Sequence, residues 1–128
     1  MDKHKILVVD DSETNLLLLE AVLGDDNFDI KKTLSAKGAY KILEELTPDL
    51  ILLDLLMPNE NGFDVLKKLR QRDDYRHIPI IIVTAFANSE NKEKANKYGV
   101  AGVIEKPIDI PSFLEIVNKT LNHSRETA

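Results

Sequence analysis

The stretch Pro48-Asp49-Leu50-Ile51-Leu52-Leu53-Asp54 runs four aliphatic residues in a row and closes on a carboxylate. An apolar run without polar alternation suits a strand covered on both faces, as in the middle of a parallel sheet. Ile80-Ile81-Ile82-Val83-Thr84 repeats the pattern and closes on a hydroxyl. Working outward, residues 5–9 lead into Asp10-Asp11, residues 102–105 lead into Lys106-Pro107, and a fifth β-rich run covers 28–33.

The segments between these runs carry helical spacing. Residues 12–23 place Leu16, Leu19 and Leu23 on one stripe, and Gly24 follows as a stop signal. Residues 36–46 follow Ser35 as an N-cap and end before Pro48. A third helix starts near Gly62 and spaces Phe63, Leu66 and Leu69 along one face. A fourth, 89–98, is mostly polar and ends at Gly99. A fifth, about 111–121, aligns Phe113, Ile116, Val117 and Leu121, with Asp109 available as its cap. The alternation predicts an α/β chain, (βα)5, forming a doubly wound parallel five-stranded sheet. The expected strand order, flavodoxin-like 2-1-3-4-5, is taken from the fold class rather than from these strands. Residues 1–122 are expected to form one domain, with 123–128 a frayed polar C-terminal tail.

At 128 residues the chain suits a single domain. Its longest apolar runs, 50–53 and 78–83, are too short to span a bilayer, and no secretory signal opens it. A cytoplasmic protein, not membrane-bound, is expected. The absence of cysteine excludes disulfides, thiolate metal sites and cysteine nucleophiles. The net charge of −5 and the lack of any Lys/Arg run argue against direct nucleic-acid binding. Tyr40, Tyr75 and Tyr98 are too scattered to form a base-stacking platform.

In a doubly wound sheet, ligands bind beyond the carboxyl ends of the strands, where the strand order reverses. Asp10, Asp11, Asp54, Thr84 and Lys106 all fall at such ends. Taken singly, each has an ordinary explanation: a cap, a turn former, a β-branched strand residue, a solvated lysine. Their coincidence at four strand ends does not. Clustered carboxylates repel one another and call for a cation. A hard divalent ion with oxygen ligands is the natural one, and Mg²⁺ fits best because it shares carboxylates, waters and a phosphate oxygen. Lys106 and Thr84 suit phosphoryl oxygens, and an Asp can itself be a nucleophile that forms an acyl phosphate.

These residues resemble the receiver family of two-component and phosphorelay signalling. Ile6-Leu7-Val8-Val9-Asp10-Asp11, Pro48 through Asp54, Met57-Pro58 with Gly62, Val83-Thr84-Ala85 and Glu105-Lys106-Pro107 stand in the family's order and spacing. The resemblance implies that Asp54 accepts a phosphoryl group from a sensor histidine kinase or a histidine phosphotransfer protein. Asp11, Asp54 and the Leu56 carbonyl would bind Mg²⁺, with Asp10 acting through water; Mn²⁺ could substitute. Thr84 and Lys106 would contact the phosphoryl group. The partner would dock on a face that includes Asn15, Leu18, Pro107 and Ile108. It also implies a cis bond between Lys106 and Pro107 and a module, monomeric or weakly dimeric, that catalyses only its own phosphorylation and dephosphorylation. Two positions that influence hydrolysis in the family are Leu56 and Phe86 here, which implies a long-lived phosphoryl group. Where many receivers have an aromatic residue, this chain has Val103, so readout through an aromatic switch is not expected.

Two other functions fit less well. A dehalogenase-type phosphatase would need a second acid two residues after Asp54, where Leu56 stands. A flavodoxin would meet its phosphate with hydroxyls and amides, and Asp10-Asp11 would repel it. A purely structural domain would neither bind Mg²⁺ nor react with acyl phosphates.

Overall fold

In a computed structural model that describes residues 3–24, 26–57 and 60–127, the alternation resolves into five helices and seven strands. The strands are β1 (His4–Val9), β2 (Phe28–Thr33), β3 (Leu50–Leu53), β4 (Leu56–Met57), β5 (Glu60–Asn61), β6 (Ile80–Thr84) and β7 (Gly102–Glu105). The helices are α1 (Glu13–Leu23), α2 (Ala36–Glu45), α3 (Gly62–Gln71), α4 (Ser89–Lys97) and α5 (Ile110–Thr127). Five strands form one parallel sheet in the order β2-β1-β3-β6-β7, the expected 2-1-3-4-5 arrangement.

The central strands are buried on both faces because successive side chains alternate between two cores. Leu7, Val9, Ile51, Leu53, Ile80 and Ile82 pack with α2, α3 and α4. Ile6, Val8, Leu50, Leu52, Ile81 and Val83 pack with α1 and α5. The helix stripes follow: Leu16, Leu19 and Leu23 of α1 are buried, as are Phe63, Leu66 and Leu69 of α3. Ser12 and Ser35 cap α1 and α2 by accepting from Asn15 N–H and Gly38 N–H. Gly24 and Gly99 follow α1 and α4 with φ of 81° and 69°, a left-handed backbone that glycine adopts without steric cost.

The structure departs from expectation in two places. A short antiparallel ribbon, β4 with β5, follows β3, and the Asn61 side chain caps α3 by accepting from Phe63 N–H. Pro58, read as part of this turn, lies outside the described residues. Helix α4 begins at Ser89, as expected, with Asn88 as its N-cap. Helix α5 runs to Thr127, through most of the segment read as a tail, because residues 123–127 contain no glycine or proline to end it. No helix among the described residues is long and apolar enough to cross a membrane.

Candidate functional site

The parallel sheet aims all five strands at one rim. Asp54 follows β3 and extends its ladder, its N–H donating to the Val9 carbonyl at 3.0 Å. Asp10 does the same after β1, its N–H donating to the Thr33 carbonyl at 3.2 Å. Thr84 ends β6, and its carbonyl accepts from Lys106 N–H at 2.9 Å, which sets the lysine beside the site. The Lys106–Pro107 peptide is cis. Gly62 makes the turn after Asp54 possible. A Cβ there would lie 2.4 Å from the Asp54 carbonyl oxygen and 2.6 Å from Leu55 Cα, so only glycine lets the start of α3 approach this backbone.

The carboxylates of Asp10, Asp11 and Asp54 each place an oxygen within 4.8 Å of the others. Asp10 and Asp54 are buried, 2% and 7% exposed, while Asp11 is exposed. Lys106 Nζ bridges the buried pair, donating to Asp10 Oδ2 at 2.6 Å and Asp54 Oδ2 at 3.1 Å. Asp10 Oδ1 accepts from Ser12 N–H at 2.9 Å. Thr84 is fully buried; its hydroxyl oxygen accepts from Phe86 N–H at 3.2 Å and keeps a proton to donate. Burial acts to lower the Lys106 ammonium, but the hydrogen bond to Asp10 and the charges of Asp54 and Asp10 outweigh it. Its pKa is held above the ordinary lysine value. Burial, then the charge of Asp10, push the Asp11 carboxyl above the ordinary aspartate value, with Asp54 adding a smaller push. Three carboxylates gathered with the Lys106 ammonium make this an acidic cluster, and every side-chain donor in the trio is oxygen.

Asp10, Asp11, Asp54 and Lys106 are thus brought together, with Thr84 on the adjoining strand end. Leu56 lies in β4, two residues beyond Asp54. Asn15, Leu18, Pro107 and Ile108 line a single groove of about 290 Å³ that reaches Lys106. Leu19, Val83 and Ala85 line it too, and the sequence reading missed them. They are reached only through the packing of α1 beside β6, which leaves no local signal. Two further supports were also missed. Asn91 Nδ2 donates to the Phe86 carbonyl at 2.7 Å and holds the loop after Thr84. Asn61 orients the turn after Asp54, and the Asn61-Gly62 pair was a readable turn signal.

A family model for the response regulator receiver domain matches residues 6–118. The polar-differentiation response regulator DivK of Brucella anthropi is 34% identical over 116 residues, covering 91% of this chain and 94% of that protein. The signal receiver domain of a signal transduction histidine kinase from Syntrophus aciditrophicus superposes with a TM-score of 0.83 at 27% identity, covering 94% of this chain and 91% of that one. A CheY-like receiver domain protein from Methanospirillum hungatei gives a TM-score of 0.90 at 23% identity, covering 99% and 100%, and bears on the fold alone. The chain belongs to the response regulator receiver domain family of two-component signalling.

Proposed function

We propose that Asp54 is the phosphoacceptor of this receiver and takes its phosphoryl group from a phosphohistidine on a sensor kinase or a phosphotransfer protein. The observation that carries this is the Lys106 ammonium bridging Asp10 and Asp54 beside a buried threonine hydroxyl. An Asp54 carboxylate oxygen attacks phosphorus, an O–P bond forms, and the P–N bond to the donor imidazole breaks. The imidazole nitrogen takes the electron pair and then a proton. The protein's part is positioning and charge neutralisation. Lys106 neutralises charge on the phosphoryl oxygens and Thr84 donates its hydroxyl proton to one of them. Asp10 and Asp54 hold Lys106 in place before transfer.

The all-oxygen carboxylate set fits a hard divalent cation. Asp11, Asp54 and the Leu56 carbonyl would hold Mg²⁺ or Mn²⁺ directly, with Asp10 acting through water. The ion would supply charge stabilisation of the transferring phosphoryl group. The groove lined by Asn15, Leu18, Pro107 and Ile108 is the docking face for the donor, since it opens beside Lys106 and Leu18 stands 47% exposed there. The domain acts as a monomer or weak dimer in the cytoplasm, turning over only its own phosphoryl group. Output runs through this face rather than an aromatic switch: Val103 is paired with Ile82 in the sheet and carries no ring. Intact mass after incubation with acetyl phosphate and Mg²⁺ tests the proposal. One added phosphoryl mass that needs the metal supports it; an unchanged mass, or addition that survives Asp54→Ala, refutes it.

A further inference from the structure

The N-terminal ends of β6 and β7, opposite the Asp54 rim, open onto a groove of about 1110 Å³. Ile78, Pro79, Ala101 and Tyr98 give it apolar and aromatic lining. Arg70, Arg76 and Lys119 bring three basic side chains to its lining, where Glu115 is the one carboxylate among the described residues, in a chain of net charge −5.

Arg70 preforms the groove. Its Nε donates to the Tyr98 carbonyl at 2.8 Å, Nη1 to the carbonyls of Ile78 at 2.9 Å and Arg76 at 3.1 Å, and Nη2 to that of Gly99 at 3.4 Å. One side chain from α3 therefore ties the turn before β6 to the turn between α4 and β7. All four acceptors are carbonyl oxygens. Among the described residues no carboxylate neutralises this guanidinium, and burial holds its pKa below the ordinary arginine value. Arg76 is paired with Asp73 at 3.3 Å, but both side chains are mostly exposed and such a pair yields readily to a better anion.

We infer that this groove binds a phosphate-bearing small molecule of nucleotide size. The phosphate sits against Arg76 and Lys119 in the field of Arg70, and the ring of the ligand packs on Tyr98. The groove is open and, at about 1110 Å³, roomy enough for a nucleotide-sized molecule, and a rigid wall lowers the ordering cost of binding. An acidic peptide would meet the same charge. However, the cations come from α3, the turn before β6 and α5 and converge on one open groove rather than forming a line along a helix, which suits a compact anion. The groove lies about 16 Å from the phosphoacceptor rim, the length of β6 at roughly 3.3 Å per residue, so its occupancy is readable separately from Asp54 chemistry.

The test follows amide chemical shifts while AMP, GMP, inorganic phosphate, adenosine and an acidic octapeptide are each added to the full chain. The expected result is saturable shifts at Ile78, Ala101 and Asn118 with AMP or GMP, at dissociation constants below about 1 mM. Phosphate should bind more weakly, and adenosine more weakly still. A double variant, Arg76→Glu with Lys119→Glu, should lose affinity at least tenfold while acetyl phosphate labels it at the parent rate. Four outcomes would overturn the inference: groove amides unmoved by any phosphate, adenosine matching AMP, the double variant binding like the parent, or binding of the octapeptide alone.

Discussion

Replacing Lys106 by methionine keeps the apolar stem and removes the ammonium that bridges Asp10 and Asp54. Removing one partner of a buried ion pair costs about 3–5 kcal/mol when the charge left behind is fully enclosed. Here two carboxylates are left, both under a tenth exposed, but the site opens to water at Asp11. The expected loss is therefore nearer 2–3 kcal/mol, or roughly 6–15 °C in Tm for a domain of this size. Mg²⁺ should reverse much of it. The variant presents three carboxylates with no ammonium among them, so the ion binds its folded state more tightly, and binding to the folded state alone stabilises it. A tenfold gain in affinity is worth about 1.4 kcal/mol at saturating metal, which narrows the gap by about half. Urea unfolding of parent and variant, with and without saturating MgCl₂, measures both effects. The raised Lys106 pKa fixes the pH behaviour. Its stabilisation is fully present below the unfolded lysine value of 10.5 and is lost only as pH rises through the higher folded value. The parent–variant gap should therefore hold from neutrality toward pH 10 and close only above it. A variant as stable as the parent in metal-free buffer, or a gap that Mg²⁺ leaves unchanged, would refute the reasoning.

The raised Asp11 pKa means its ionisation opposes folding as pH climbs past the ordinary aspartate value of 3.8. Asp11→Asn should raise the metal-free Tm at pH 7, with the gain vanishing in acid, yet weaken Mg²⁺ binding; calorimetry with and without metal reads both. Gly62→Ala drives a Cβ into the Asp54 and Leu55 backbone, so it should cost about 1–3 kcal/mol and slow phosphorylation of Asp54 by acetyl phosphate. Normal stability and labelling rate would contradict that account of the turn. Phe86 stands 54% exposed beside Thr84, and the double variant Leu56→Asn, Phe86→Glu should lose its phosphoryl group faster than the parent; equal decay of radiolabel would count against it. Beryllofluoride with Mg²⁺ should shift amides around Asp54, Thr84 and Lys106 strongly and those of α4 only modestly. A wholesale shift of α4 and of the outer face of α5 would restore an aromatic-type switch.

Much of this molecule was legible because its chemistry sits where apolar runs end. Leu50 to Leu53 and Ile80 to Val83 read as buried strands, so the polar residue after each run was visibly a rim residue. Gly24, Gly99 and Ser35 marked helix ends by local backbone chemistry that needs no tertiary information. The β4–β5 ribbon was not legible, since two-residue strands have no period to detect. Asp54 falls just outside β3 although its N–H continues the ladder, the usual softness of an element boundary. Arg70 looked like any lysine or arginine in the last turn of a helix. Its acceptors lie 6 to 29 residues away and meet only after α3, α4 and β6 have packed. The groove beside Lys106 was half legible: Asn15, Leu18, Pro107 and Ile108 came from the resemblance, whereas Val83 and Ala85 required the sheet.

The central claim is that Asp54, and no other carboxylate at this rim, carries the phosphoryl group. The most direct measurement is phosphorylation followed by borohydride reduction, which converts an aspartyl phosphate to homoserine, and peptide mapping by mass spectrometry. Homoserine at position 54 alone, dependent on Mg²⁺ and absent when Lys106 is replaced by methionine under the same brief exposure, is the predicted result. Homoserine at position 10 or 11, or none in protein that has gained a phosphoryl mass, would contradict the account.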